Sequence, residues 1–179
     1  MSFDGPTVTL RNAHLLPAPV QRPIPVWVGG KGGPRLLRLA ARYATGWNVV
    51  WRMTPSAYDE KLEAVRAACE RVGRDPATFR LSVGLHALLG DDDASARAAF
   101  VRGQAAMPGD ALAGETYGSW RADTLSGTPD DVLERVAAFE ERGVEELIVS
   151  PWALPFAIPE PDQVELFAER VIAPLRERR

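Results

Sequence analysis

The feature that most constrains this chain is an order of elements rather than a repeat of letters. Short runs rich in β-branched and aromatic residues alternate with helix-forming stretches four times over. Ile24, Val26 and Val28 alternate into a first strand that ends at Gly29; Pro25 delays its true start. Trp47 to Trp51 reads as a second strand, Phe79 to Leu89 as a third and Leu147 to Ser150 as a fourth. Strand–helix alternation of this kind specifies an α/β fold with parallel strands, because a parallel pair needs a helical crossover. No internal repeat of solenoid period is present.

The helices carry their own start signals. Pro34 opens the first, where its missing N–H costs nothing. Its spacing predicts an apolar face of Leu36, Leu39, Ala40 and Tyr43, with Arg35, Arg38 and Arg42 forming a solvated opposite face. Thr54 caps the second helix, Pro55 opens it and Gly73 closes it; Tyr58, Leu62, Val65, Cys69 and Val72 share one side. Cys69 therefore reads as a buried small residue. Asp91 to Asp93 start a third helix, and Thr128-Pro129-Asp130-Asp131 a fourth with Val132, Val136 and Phe139 inward. A final helix runs from about Asp162, with Pro174 expected to bend or end it. Residues 1–23 form an extended lead-in kept from helicity by Pro17, Pro19 and Pro23, and residues 24–179 form a single βα-repeat domain. Residues 104–127 read as a long Gly-rich loop, a lid or a surface excursion, carrying Tyr117 and Trp120.

Composition narrows the function classes. The net charge of -3 argues against binding nucleic acid through displaced counterions. No apolar run approaches the ~20 residues of a membrane span, and MSFDGPTVTL lacks the pattern of a secretory signal, so a cytoplasmic location is expected. One cysteine precludes an intrachain disulfide, and with His14 and His86 the only histidines, no metal site is expected.

Two features remain as chemistry. Gly29-Gly30-Lys31-Gly32-Gly33 links the first strand to a helix N-terminus, where free N–H groups and the helix dipole favour an anion. It is not a Walker A motif, since no Ser or Thr follows Lys31, and it lacks the third glycine of the dinucleotide fingerprint. It reads either as a phosphate cradle or as a turn that binds nothing. The third strand places apolar residues at Phe79, Leu81, Val83, Leu85, Ala87 and Leu89 and mostly polar or small ones at Arg80, Ser82, Gly84 and His86. One face thus packs on helices and the other meets a lumen or a site, with His86 a candidate site residue or a structural histidine.

Taken in order, the stretches SFDGP at 2–6, PAPVQRPIPVWVGGKGGPRLLRLAARYATGWN at 17–48, YDEKLEAVRAACERVGRDPATFRLSV at 58–83 and GTPDDVLERVAAFEERGVEELIVS at 127–150 resemble the luciferase-like flavin- or deazaflavin-dependent oxidoreductases. The Gly-Trp-Asn and Gly-Thr-Pro signatures resemble most the branch using coenzyme F420 rather than FMN. The resemblance implies a TIM-type (β/α)8 barrel of which this chain matches the C-terminal half, a (β/α)4 unit. It implies a cofactor phosphate held at Gly29, Gly30, Lys31 and Gly32. It places Trp51, Arg52, Ser150 and Trp152 on the substrate side, where barrels carry their sites. The groups that contact the flavin ring and handle protons come, in that family, largely from the first half.

Half a barrel has two open edges and an uncovered inner face. The expectation is therefore a partner: a separate chain supplying four more strands, or a second copy. Rearrangement into an open doubly wound sheet is the alternative. The functional expectation is one half of an oxidoreductase or monooxygenase acting on a small organic substrate. Its competitors are a non-catalytic homodimeric cofactor-binding or stabilising module, and a truncated product without activity.

Overall fold

The four predicted strands lie side by side in chain order, all parallel. The computed structural model describes residues 1–109, 111–153 and 160–178. After a small antiparallel hairpin of β1 (Phe3–Asp4) and β2 (Thr9–Leu10), the main sheet comprises β3 (Trp27–Gly29), β4 (Gly46–Trp51), β5 (Arg80–Leu89), β6 (Leu125–Gly127) and β7 (Glu146–Pro151). Residues Gly46 to Trp51 pair with Arg80 to Leu85 on one side of β5, and Glu146 to Pro151 pair with Ser82 to Ala87 on the other. The short β6 extends the β4 side, pairing with Ala87 to Leu89. The order β3-β4-β5-β7 contains no reversal, so this is four consecutive units of a barrel wall and not a doubly wound sheet.

The helices are α1 (Pro34–Tyr43), α2 (Pro55–Arg71), α3 (Asp93–Ala106), α4 (Tyr117–Asp123), α5 (Pro129–Glu140) and a C-terminal helix of α6 (Asp162–Phe167) and α7 (Ala173–Glu177) joined by a π-helical turn, Ala168–Ile172. Pro174 therefore follows a local widening and does not end the helix. Thr54 accepts from the amide of Ala57, and both Asp92/Ser95 and Thr128/Asp131 form reciprocal capping boxes.

The core lies between sheet and helices. Trp47, Val49, Val83, Leu85, Ala87 and Leu89 meet Leu37, Ala40, Tyr58, Leu62, Val65, Cys69, Val132, Phe139 and Phe167. Tyr58 stacks on Trp47 with centroids 6.2 Å apart and meets Phe139 edge-on at 5.6 Å.

Two elements differ from what the sequence led us to expect. Helix α1 buries Leu37, Ala40 and Ala41, while Leu39 is 45% and Tyr43 67% exposed. Two registers of helical spacing compete here. The one with the smaller residues wins because alanines let the helix approach the sheet closely. Second, residues 104–127 are not an irregular loop throughout: α3 continues to Ala106, and α4 and β6 occupy 117–123 and 125–127. Position 110 of that stretch lies outside the described residues.

Candidate functional site

Parallel strands bring Gly29, Trp51, Leu89 and Pro151 to one rim, and the candidate residues gather there. Register assigns the inner face. Asn48, Ser82 and Glu146 are mutual partners, as are Val50, Gly84 and Ile148, and His86 pairs with Ser150. Asn48 donates from Nδ2 to Ser82 Oγ at 2.6 Å, so the inner face is polar at this level.

The turn after β3 is fixed from behind and open in front. The Trp47 indole donates to the Gly30 carbonyl at 2.9 Å, and the Gly30 amide donates to the Asn48 carbonyl at 3.0 Å. Gly30 and Gly32 have φ of 144° and 73°, values that favour glycine. A Cβ on Gly32 would lie 3.0 Å from the Trp47 ring, whereas at Gly29 or Gly33 it would meet nothing within 4 Å. Among the described residues, no backbone carbonyl takes the amides of Lys31, Gly32 or Gly33. The α1 N-terminus carries no side-chain cap and no acid in its first turn, and Lys31 is exposed.

Next along the rim stands an aromatic wall. His86 lies between Trp51 and Trp120, with ring centroids 5.5 Å away on both sides and planes within 19° and 17° of parallel. The imidazole is 7% exposed, and its Nδ1 has no hydrogen-bond partner among the described residues. Burial, reinforced by the Arg52 charge, pulls its pKa below the ordinary histidine value. The wall continues through Trp152, whose ring centroid is 5.0 Å from that of Trp120, and Phe100, 5.8 Å from Trp152. Gly103 of α3 makes room for the Trp152 ring, since a Cβ there would stand 2.7 Å from it. Trp152 itself has φ 84° and is buried, and Ser150 Oγ donates to its carbonyl at 3.1 Å. Ser150 and Trp152 are thus both buried within the wall.

Arg52 sits at the end of β4, where the resemblance places it, but its guanidinium is fully engaged. It donates to both Glu115 oxygens at 2.9 and 3.2 Å, to Asp123 Oδ1 at 2.7 Å and to the Ser119 carbonyl at 3.1 Å, and lies 5.3 Å above the Trp120 ring. This contact holds the Glu115 carboxyl below its usual pKa. Arg52 therefore ties the segment around α4 to the rim. Arg135 of α5 secures the other end of α4 by donating to the carbonyls of Arg121, Ala122 and Thr124. Trp120, Glu115 and Asp123 escaped the sequence reading as site residues. Glu115 and Asp123 lie 63 and 71 positions from Arg52, and no local pattern marks the pairing.

A profile of the luciferase-like monooxygenase family matches residues 1–146. The chain belongs to that family. Among luciferase-like relatives, a phthiodiolone/phenolphthiodiolone dimycocerosates ketoreductase of Mycobacterium bovis is 28% identical over 188 residues, covering 83% of this chain and 49% of the relative. An F420-dependent hydroxymycolic acid dehydrogenase of Mycobacterium tuberculosis is 36% identical over 99 residues, 55% of this chain and 26% of the relative. The structure of the F420-dependent tetrahydromethanopterin reductase of Methanopyrus kandleri aligns with a TM-score of 0.69 and 17% identity, over 96% of this chain and 57% of that one. That of the EDTA monooxygenase of Chelativorans sp. BNC1 gives 0.73 and 18%, over 99% and 50%. This luciferase-like chain spans about half the length of the curated relatives it matches. Among the described residues, no helix is long and apolar enough to cross a membrane.

Proposed function

We propose that this chain is the C-terminal half of a luciferase-like oxidoreductase that holds the phosphate of a flavin-type cofactor, F420 or FMN, and acts once a second half closes the barrel. The observation that carries the reading is the Gly29–Gly33 turn. It is anchored by Trp47, carries unclaimed amides at an uncapped helix N-terminus, and has open space over Gly29 and Gly33. An anion suits such a place, and Lys31 adds a positive charge. The names of the F420-dependent relatives favour F420 over FMN. When bound, the cofactor supplies the redox chemistry, transferring hydride to or from a small organic substrate or, as reduced FMN, activating oxygen. The chain's own contribution is placement: Gly29, Gly30, Lys31 and Gly32 hold the phosphate. Trp51 and Arg52, with Ser150 and Trp152 behind them, shape the rim that receives the substrate, and His86 supports the wall.

The test is titration with F420 and with FMN, followed by absorbance and fluorescence, of the chain alone and with the first four βα units of a full-length relative. Lys31→Ala removes one exposed charge–phosphate contact and weakens binding about fivefold, on the order of 1 kcal/mol. Gly32→Ala forces a Cβ against Trp47 at a positive φ and weakens it further. Binding of neither cofactor in either format, or binding unaffected by both substitutions, refutes the reading.

A further inference from the structure

A second cation stands beside the Gly29–Gly33 turn, on a different helix. The chain contains two lysines, Lys31 and Lys61, and the fold brings both to this one turn. Lys31 belongs to the turn itself, whereas Lys61 is carried by α2. A Cβ placed on Gly32 would lie 3.5 Å from Cδ of Lys61. The ammonium is two bonds further along, about 2.5 Å, and so lies within ~6 Å of that point.

One ring sets this arrangement. Trp47 is fully buried, and its indole N–H donates to the Gly30 carbonyl. The far edge of the same ring limits Gly32, since a Cβ there would stand 3.0 Å from Cζ2. Tyr58 of α2 stacks on Trp47 with the planes 8° from parallel. Lys61 follows Tyr58 by three residues, one turn further along the helix. The Tyr58–Trp47 stack therefore fixes α2 with the Lys61 stem beside Gly32, and Lys61 is half-buried there.

The charge brought to the turn is not paired within the fold. Glu60 and Glu63 flank Lys61 in α2, yet among the described residues neither Lys61 nor Lys31 forms a salt bridge. Just beyond the turn, Arg35, Arg38 and Arg71 line the groove between α1 and α2 and are unbridged as well. Arg52, Arg80, Arg121 and Arg142, by contrast, each bond a carboxylate. Helix α1 has no acid in its first turn. The turn thus lies in an excess of unpaired positive charge, which attracts and steers an anion.

We infer that Lys61 is the second cation of the phosphate cradle. It reaches the anion from α2, while Lys31 and the amides of residues 31–33 reach it from the turn. A compact ammonium on a flexible stem suits this place, because it can follow a phosphate as a point charge. This inference rests on the proposed function and names a further binding residue for it.

Titration with F420 and with FMN tests it, on the chain alone and with the first four βα units of a full-length relative. Lys61→Met keeps a long unbranched stem against Gly32 and Trp47 and removes the charge. It should weaken binding of the cofactor about fivefold, and more in combination with Lys31→Ala. The loss should shrink at high salt, as befits an ionic contact, and Lys61→Arg should recover most of it. Thermal melts confirm that the variants fold, and Lys61→Gln replaces the methionine variant if its melt departs from the parent. Lys61→Met binding as tightly as the parent, or Lys61→Arg losing as much as Lys61→Met, overturns the inference. If Lys31→Ala still weakens binding in that case, the functional proposal stands. Inorganic phosphate, followed through the amide resonances of residues 31–33, gives a readout without cofactor. Lys61→Met should raise the phosphate concentration needed for half the shift about fivefold. That result with neither F420 nor FMN bound supports Lys61 and refutes the cofactor reading. Phosphate shifts indifferent to Lys61→Met overturn Lys61, and binding of neither phosphate nor cofactor refutes both.

Discussion

Gly84 is the position where a single carbon should be felt throughout the rim. It lies mid-strand in β5 on the inner face, opposite Val50 and Ile148. A Cβ there would lie 2.7 Å from Val50 Cγ1, 3.2 Å from Trp51 Cζ3 and 3.3 Å from Trp51 Cε3. The Trp51 ring has little freedom to yield, because it is already stacked on His86 at 5.5 Å. Overpacking of this kind costs about 1–3 kcal/mol. Alanine recovers ~0.5–1 kcal/mol by restricting the unfolded chain. The net destabilisation of Gly84→Ala is then ~1–2 kcal/mol, a fall in Tm of roughly 2–8 °C for a chain of this size. Thermal melts give the stability. The indole N–H resonances of the five tryptophans report which ring moves, and Trp51 should shift most, followed by Trp120. Gly118→Ala serves as the control, since its nearest neighbour would be 4.0 Å away. A Gly84→Ala chain melting within about 1 °C of the parent, with Trp51 unmoved, would show that the wall is not packed on β5 as described.

Two further perturbations address the same wall. Arg52→Ala removes the bidentate contact to Glu115 and the bond to Asp123, whose side chains are 18% and 30% exposed. Discounted for that partial solvation, the loss is about 1–2 kcal/mol and is local. Amide exchange across 115–124 should accelerate roughly tenfold while α2 stays protected, and uniform acceleration would contradict the latch. The third concerns pH. The folded-state pKa of His86 lies below its unfolded value, so the unfolded chain binds the proton first as pH falls. The neutral imidazole's contribution is intact above about pH 6.5 and is lost progressively below it. Melts from pH 7.5 to 5.5 should fall in the parent and flatten in His86→Phe, which keeps an aromatic ring in the stack; parallel profiles would sink the argument.

Which parts of this molecule were readable in advance follows from the range of the forces involved. Strands, caps and the glycine turn are set by neighbours within a few residues, and these appear where Thr54, Pro34, Thr128 and Gly73 place them. The alternation of β5 correctly separated a helix-packed face from an inner one, because side-chain direction has period two. The register of α1 was legible only at Ala40, since choosing between Leu36/Leu39/Tyr43 and Leu37/Ala41 beside it requires knowing how near the sheet lies. The wall was not legible either. His86 is given its environment by Trp51 on a different strand and by Trp120 on a helix hidden within a Gly-rich stretch. The partners of Arg52 could not be read from the sequence either, because they come from that same stretch. The same distinction separates the two halves of the candidate site. The glycine turn is recognisable within one strand–helix unit, although Trp47 and Asn48, which anchor it, stand on the next strand. The aromatic rim exists only when β4, β5, α4 and the end of β7 have assembled. On its inner face Ile148 is exposed and Val50 and Asn48 are half-buried, while Ser82 is covered. On the proposed function, this half binds the cofactor phosphate alone while the substrate needs both halves, and weak but measurable phosphate-dependent binding without turnover is the expected behaviour of the isolated chain.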